Sequence, residues 1–215
     1  TASETFMKHN TNRGFEINRE VQRGQLKLYK KYGIEVRRAS LMTAFGCNFE
    51  GSVAPGTAVE RLREILDIAA EEGTDIEILS LADTMGWAAP KGIKEVVGMV
   101  RENWPDKRIC LHLHDTRGMG VANVYAGMEM GVDLFDSSVA GLGGCPFAAL
   151  KGAAGNVCTE DVVFLCNELG IETGVNLDKL IEVARLAEDI VGHPLPGSIM
   201  HAGSLTQYRG AIAAE

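Results

Sequence analysis

Four times along this chain a short apolar run gives way to a longer stretch with a 3.6-residue apolar stripe. That alternation limits the folds open to it. The strand-like runs are 35–43, 75–81, the stretch that starts at Arg108 and carries His112 and His114, and 132–140. Helix-like segments follow them at 55–72, 90–103, 120–131 and 159–169, with further helices expected at 15–32 and 176–191. In 55–72, Pro55 opens the helix, Leu62, Ile65, Leu66 and Ala69 share a face, and Gly73 caps it. Thr159 is the expected N-cap of its helix. Connections of a few residues between such elements belong to α/β folds with a parallel sheet.

Two α/β architectures compete. An open doubly wound sheet requires a G-x-G-x-x-G turn after its first strand, and Gly141-Leu142-Gly143-Gly144 follows the last strand with another spacing. A (β/α)8 barrel puts its chemistry at the C-terminal ends of the strands. Polar residues recur there: Asn48 and Glu50, Asp83, His112 and His114, Ser137 and Ser138. The barrel is the expectation, with residues 1–192 in it. Residues 193–215 form a tail in which no element is placed. Thr1-Ala2-Ser3-Glu4 reads as the loop after a strand that precedes this sequence.

Composition excludes some functions. With 46% hydrophobic and 23% charged residues, 215 residues can bury a sizeable core. The net charge of −8, with no basic tract longer than Lys30-Lys31 or Arg37-Arg38, argues against nucleic acid as partner. No apolar run reaches the roughly 18 residues of a membrane span, and residues 1–13 lack a signal-peptide pattern. Five cysteines, odd in number and without C-x-x-C spacing, read as reduced thiols in a cytoplasmic compartment.

In a strand, residues two apart face the same way, so His112 and His114 share one face, Leu111 and Leu113 the other. Two imidazoles side by side can be cis ligands to one metal ion, or simply satisfied polar groups at a strand end. The H-x-H spacing alone does not choose.

Several segments carry a resemblance: Lys8-His9-Asn10-Thr11-Asn12, Leu81-Ala82-Asp83-Thr84-Met85-Gly86, His112-Leu113-His114-Asp115-Thr116, Asp136 to Pro146, and Gly155-Asn156 to Asp161. Together they resemble the 3-hydroxy-3-methylglutaryl-CoA lyase family of metal-dependent barrel lyases, from Thr1 to about Val191. The resemblance implies the last four strand–helix units of a (β/α)8 barrel plus C-terminal helices. It implies His112, His114 and Asn156 as metal ligands and Cys145 as the catalytic cysteine on a mobile loop. Asp83 would position or deprotonate the substrate, and Glu160 would support the metal from nearby. The metal would be Mg²⁺ or Mn²⁺, which suits mixed imidazole and amide ligands.

The implied activity is cleavage of a 3-hydroxyacyl-CoA to acetyl-CoA and a keto acid, in the cytoplasm, or in the mitochondrial matrix of a eukaryote. A divalent ion would lower the pKa of the substrate hydroxyl, with His112 and Asp83 both candidate bases and the thiol a suitable acid. Gly143 and Gly144 would let the thiol loop swing.

The chain also departs from the family. The earlier half of the barrel, with its Arg-Asp pair, has no counterpart here. A complementary half or a homo-oligomer is therefore expected, because four parallel strands leave two open edges and an apolar inner face. Eleven residues rather than nine lead from Cys145 to Asn156, with Leu150-Lys151 looking inserted. Arg117 could read a second carboxylate, and Gly192-His193-Pro194 lacks a lysine that some members place near CoA. A citramalyl-CoA-like lyase, a condensing synthase of the same superfamily and a non-catalytic half-barrel subunit are the alternatives.

Overall fold

The computed structural model describes residues 1–148, 154–206 and 208–209. In chain order the elements are α1 (Glu4–Thr11), α2 (Phe15–Lys31), β1 (Arg38–Leu41), a hairpin of β2 (Gly46–Cys47) and β3 (Gly51–Ser52), and α3 (Pro55–Glu71). Then come β4 (Ile78–Ala82), α4 (Pro90–Asn103), β5 (Arg108–His112), α5 (Gly120–Glu129), β6 (Leu134–Asp136), α6 (Thr159–Glu168), α7 (Leu177–Val191) and α8 (Ser198–Ala202). β1, β4, β5 and β6 form one parallel sheet in that order. Successive strands pair with their predecessors through intervening helices, which is the arc of a (β/α)8 barrel.

The helices form where sequence starts and stops them. Pro90 occupies the first turn of α4, and Ile93, Val96, Val97 and Val100 make its buried stripe. Asn176 caps α7 by accepting from Lys179 N at 3.0 Å, and Gly192 ends it in the left-handed region. Thr159, expected as a cap, is instead the first residue of α6. Cys158 holds the cap position, and the Thr159 hydroxyl pairs with Ser137 at 2.9 Å.

Strand alternation divides the sheet into two faces. Leu41, Leu79, Leu81, Ile109, Leu111 and Leu113 are buried in the core with Leu62 of α3, Val97 of α4 and Val124 of α5. Arg38, Ser40, Ser80, Ala82 and His112 line the opposite, concave face. Arg38, Ser40, Ser80 and His112 make that face polar in part, while Met42 and Ala82 keep apolar surface on it.

The strands are shorter than their apolar runs. The chain leaves the β1 direction at Thr43, whose φ is 55°, and leaves β6 for a 3-10 turn at Val139–Gly141. Two elements escape a reading by periodicity, α1 and the β2–β3 hairpin. The first has only Phe6 and Met7 buried and the second pairs two residues with two. The tail is partly built in: Leu195 and Met200 are buried with Ala140 and Ala184. Leu150-Lys151 and residues 210–215 lie outside the described residues.

Candidate active site

At the C-terminal ends of the strands lies a cleft of about 480 Å³. It is lined by His112, His114, Asn156 and Cys145, with Arg38 and Ser80 deeper on the sheet. β5 ends at His112, one residue pair short of its expected length. His114 instead bridges antiparallel to Asn156. Asp115 N donates to Gly155 O at 2.8 Å and Val157 N donates to Leu113 O at 3.0 Å. These bonds flank the His114–Asn156 pair rather than join it, the arrangement in which facing side chains stand closest.

The two imidazoles are 5.3 Å apart between ring centres, inclined by 66°. His114 Nδ1 lies 2.7 Å from the Thr84 carbonyl oxygen. A carbonyl only accepts, so Nδ1 carries the proton and Nε2 keeps a lone pair. His112 Nδ1 lies 3.1 Å from an Asp136 carboxylate oxygen. The Arg38 guanidinium holds that carboxyl below the usual carboxylate range, so it accepts, and Nε2 of His112 is likewise free.

Asn156 Nδ2 donates to Leu142 O at 3.0 Å, which turns Oδ1 the other way. Oδ1 is buried without a hydrogen-bond partner. An orphaned amide oxygen is costly in a finished interior. Beside two imidazoles with free nitrogens it makes a donor set of two nitrogens and one neutral oxygen, which a divalent cation fits. Among the described residues no three His, Cys, Asp or Glu side chains cluster to hold a metal; the third donor here is an amide.

Cys145 is half-buried on the loop after β6 and packs, with Trp87 and Phe147, against Phe6, Cys47 and Met85. Asn48 secures this loop: its Nδ2 donates to Phe147 O at 2.9 Å, and its Oδ1 accepts from Trp87 Nε1 at 2.8 Å. All five cysteines are unpaired, the other four buried.

Asp83 and Glu160 do not line the cleft. Asp83 Oδ1 accepts from Trp87 N at 2.6 Å and Ala88 N at 3.0 Å, bracing the turn that presents Thr84 O to His114. Burial raises its pKa to about 6, and Oδ2 has no partner. Glu160 is fully buried; its Oε2 accepts from Ala140 N at 3.0 Å and its Oε1 faces Gly197. Burial raises its pKa also. Arg117, offered above for a second carboxylate, is committed elsewhere: Nη1 donates to the carbonyls of Met85 and Gly86 at 2.9 and 2.8 Å.

Sequence reasoning missed Arg38, Ser80 and Asp136. Arg38 Nη1 donates to Asp136 Oδ1 at 3.0 Å, and Nη2 to Ser80 Oγ at 2.6 Å. The available signal was their parity with His112 on the inner face, since Ala82, His112 and Asp136 are in register.

A parallel arc of strand–helix units, with nitrogen and oxygen donors and a thiol gathered at its C-terminal strand ends, defines part of a (β/α)8 barrel with its chemistry at the barrel mouth. The chain matches the HMGL-like family model over residues 1–187 and belongs to that family. It is 38% identical over 204 residues to hydroxymethylglutaryl-CoA lyase YngG of Bacillus subtilis, covering 91% of this chain and 62% of that protein. It is also 38% identical over 181 residues to (R)-citramalyl-CoA lyase of Chloroflexus aurantiacus, covering 81% of this chain and 55% of the relative. A solved HMG-CoA lyase from Acinetobacter baumannii, in complex with coenzyme A and 3-methylmalate, superposes with a TM-score of 0.82 at 35% identity. That match covers 95% of this chain and 64% of the solved one. The chain thus spans 55% to 64% of the length of these relatives.

Proposed function

We propose that this chain supplies the catalytic-loop half of a metal-dependent carbon–carbon lyase that cleaves a 3-hydroxyacyl-CoA of the hydroxymethylglutaryl type. The observation that carries the reading is the meeting of His112, His114 and Asn156, each with one uncommitted donor atom, in the cleft that also holds Cys145. His112 Nε2, His114 Nε2 and Asn156 Oδ1 are the atoms that would hold a divalent ion, Mg²⁺ or Mn²⁺. When bound, such an ion polarises the hydroxyl and a carboxylate oxygen of a chelating substrate.

The chain's own residues do the rest. A general base takes the hydroxyl proton, the O–H electron pair forms the carbonyl of the keto acid, and the bond between the α and β carbons breaks. Its electron pair passes to the carbon beside the thioester, releasing the keto acid. The Cys145 thiol gives that carbon its proton, and acetyl-CoA leaves. His112 has one free nitrogen, so the ligand and base roles compete for it; the contact with Asp136 favours the ligand. Asp83, sealed beneath the turn, positions Thr84 and through it His114.

The substrate and the missing strands are drawn from the relatives. A complementary barrel half would complete the site, and the five unpaired thiols suit a cytoplasmic setting. Equal identity to a hydroxymethylglutaryl-CoA and a citramalyl-CoA lyase supports either acyl group. The test is turnover of both thioesters by the assembled enzyme, with acetoacetate or pyruvate measured beside acetyl-CoA. Cys145→Ser is expected to cut turnover at least a hundredfold. Unchanged turnover in that variant sinks the reading and leaves a supporting subunit in its place.

A further inference from the structure

We propose that Asp136, clamped by Arg38, is the positioning residue that fixes the tautomer of His112 and so presents its Nε2 to the cleft. Which imidazole nitrogen keeps its lone pair is decided by what the other one bonds. His114 is locked by a backbone carbonyl, that of Thr84. His112 ends its strand with no such carbonyl bonded to its ring, and its Nδ1 meets the side chain of Asp136. The two residues are in register on neighbouring parallel strands, so their side chains leave the sheet on the same face.

A carboxylate alone at that spot could rotate away. Arg38 prevents it. The guanidinium approaches from β1, the opposite edge of the sheet, passes over Ser80, and engages both carboxylate oxygens of Asp136. A two-pronged contact of this kind fixes the plane of the carboxylate as well as its distance. The Arg38–Asp136 pair therefore spans the sheet from its first strand to its last and delivers one oriented lone pair to His112. The consequence for a metal rests on the function proposed above: carboxylates behind ligand histidines raise metal affinity, and their loss costs about 10- to 100-fold.

The test reads the tautomer directly, with the full chain carrying ¹⁵N-labelled histidine, by long-range ¹H–¹⁵N correlation at mildly alkaline pH. His112 and His114 are both expected as Nδ1–H in the unaltered protein. In Asp136→Ala, His112 is expected to move toward the Nε2–H form while His114 stays, which serves as the folding control. Asp136→Ala leaves the guanidinium without its carboxylate, so the pair Arg38→Met with Asp136→Leu removes both charges together. It is expected to give the same change at His112. A His112 that stays Nδ1–H in both variants overturns the proposal.

Titration with Mn²⁺ separates this inference from the lyase reading. Affinity is expected to fall tenfold or more in both variants. A shifted tautomer with unchanged Mn²⁺ affinity, or no Mn²⁺ binding by any form, upholds the positioning role and removes His112 from the metal.

Discussion

A side-chain carbon on Gly155 would stand 1.8 Å from the carbonyl oxygen of Gly143. The thiol loop and the segment bearing Asn156 are therefore in backbone contact, and only a residue without a Cβ permits it. Gly143 is similarly confined: its φ is 89°, and a Cβ there would meet Asn156 Nδ2 at 2.6 Å. These two glycines hold the loop on the amide that it orients, which gives the G-L-G-G and G-N pattern a steric reason.

Gly155→Ala is expected to push the loop off the cleft. Overpacking of this kind costs about 1–3 kcal/mol. Urea unfolding checks the stability loss, and faster alkylation of Cys145 checks the loop. A variant with unchanged midpoint and unchanged thiol reactivity contradicts the contact.

Asn48→Ala tests the other tether. It removes a bond to Phe147 O and one to Trp87 Nε1. Each is worth about 1 kcal/mol, so the variant is expected to lose about 2 kcal/mol of stability and Cys145 modification to quicken by more than about tenfold. Competition alkylation against the unaltered chain reads it.

Asn156→Ala removes the orphaned oxygen and the bond to Leu142. Mn²⁺ affinity is expected to fall about tenfold or more, while Asn156→Asp, which keeps an oxygen at that place, retains binding. Manganese electron paramagnetic resonance distinguishes the two. Equal affinity in the alanine variant would remove Asn156 from the donor set.

Asp83 makes stability depend on pH. Its carboxyl titrates at about 6 in the fold because burial disfavours the charge. In the unfolded chain it titrates near 3.9. Below pH about 4 both states are protonated and its contribution is fully present. As pH rises toward 6 the unfolded state loses its proton first, so stability falls, by on the order of 3 kcal/mol. Asp83→Asn is expected to flatten that decline. Denaturation midpoints measured from pH 4 to pH 8 give the slopes to compare.

The strand–helix order, the long helices and the inner face of β5 were legible from periodicity, because a buried stripe repeats every 3.6 residues in a helix and every two in a strand. Pro90 to Asn103 is the clearest case, its bounds matching the structure. His112 and His114 do face one cleft, with Leu111 and Leu113 in the core. Short elements left no such trace. α1 has two buried residues in eight, and β6 keeps three residues of a nine-residue run, because the turn at Val139–Gly141 ends it.

By itself the sequence determined the order of strands and helices and the shared face of His112 and His114, since both follow from local periodicity. Only the tertiary structure decided what the site residues touch. Arg38 and Asp136 are 98 positions apart, and Asn156 reaches His114 across a loop. Those meetings depend on the curl of the sheet and on the path of a glycine-rich backbone, which are set by packing between distant segments and leave no period to read.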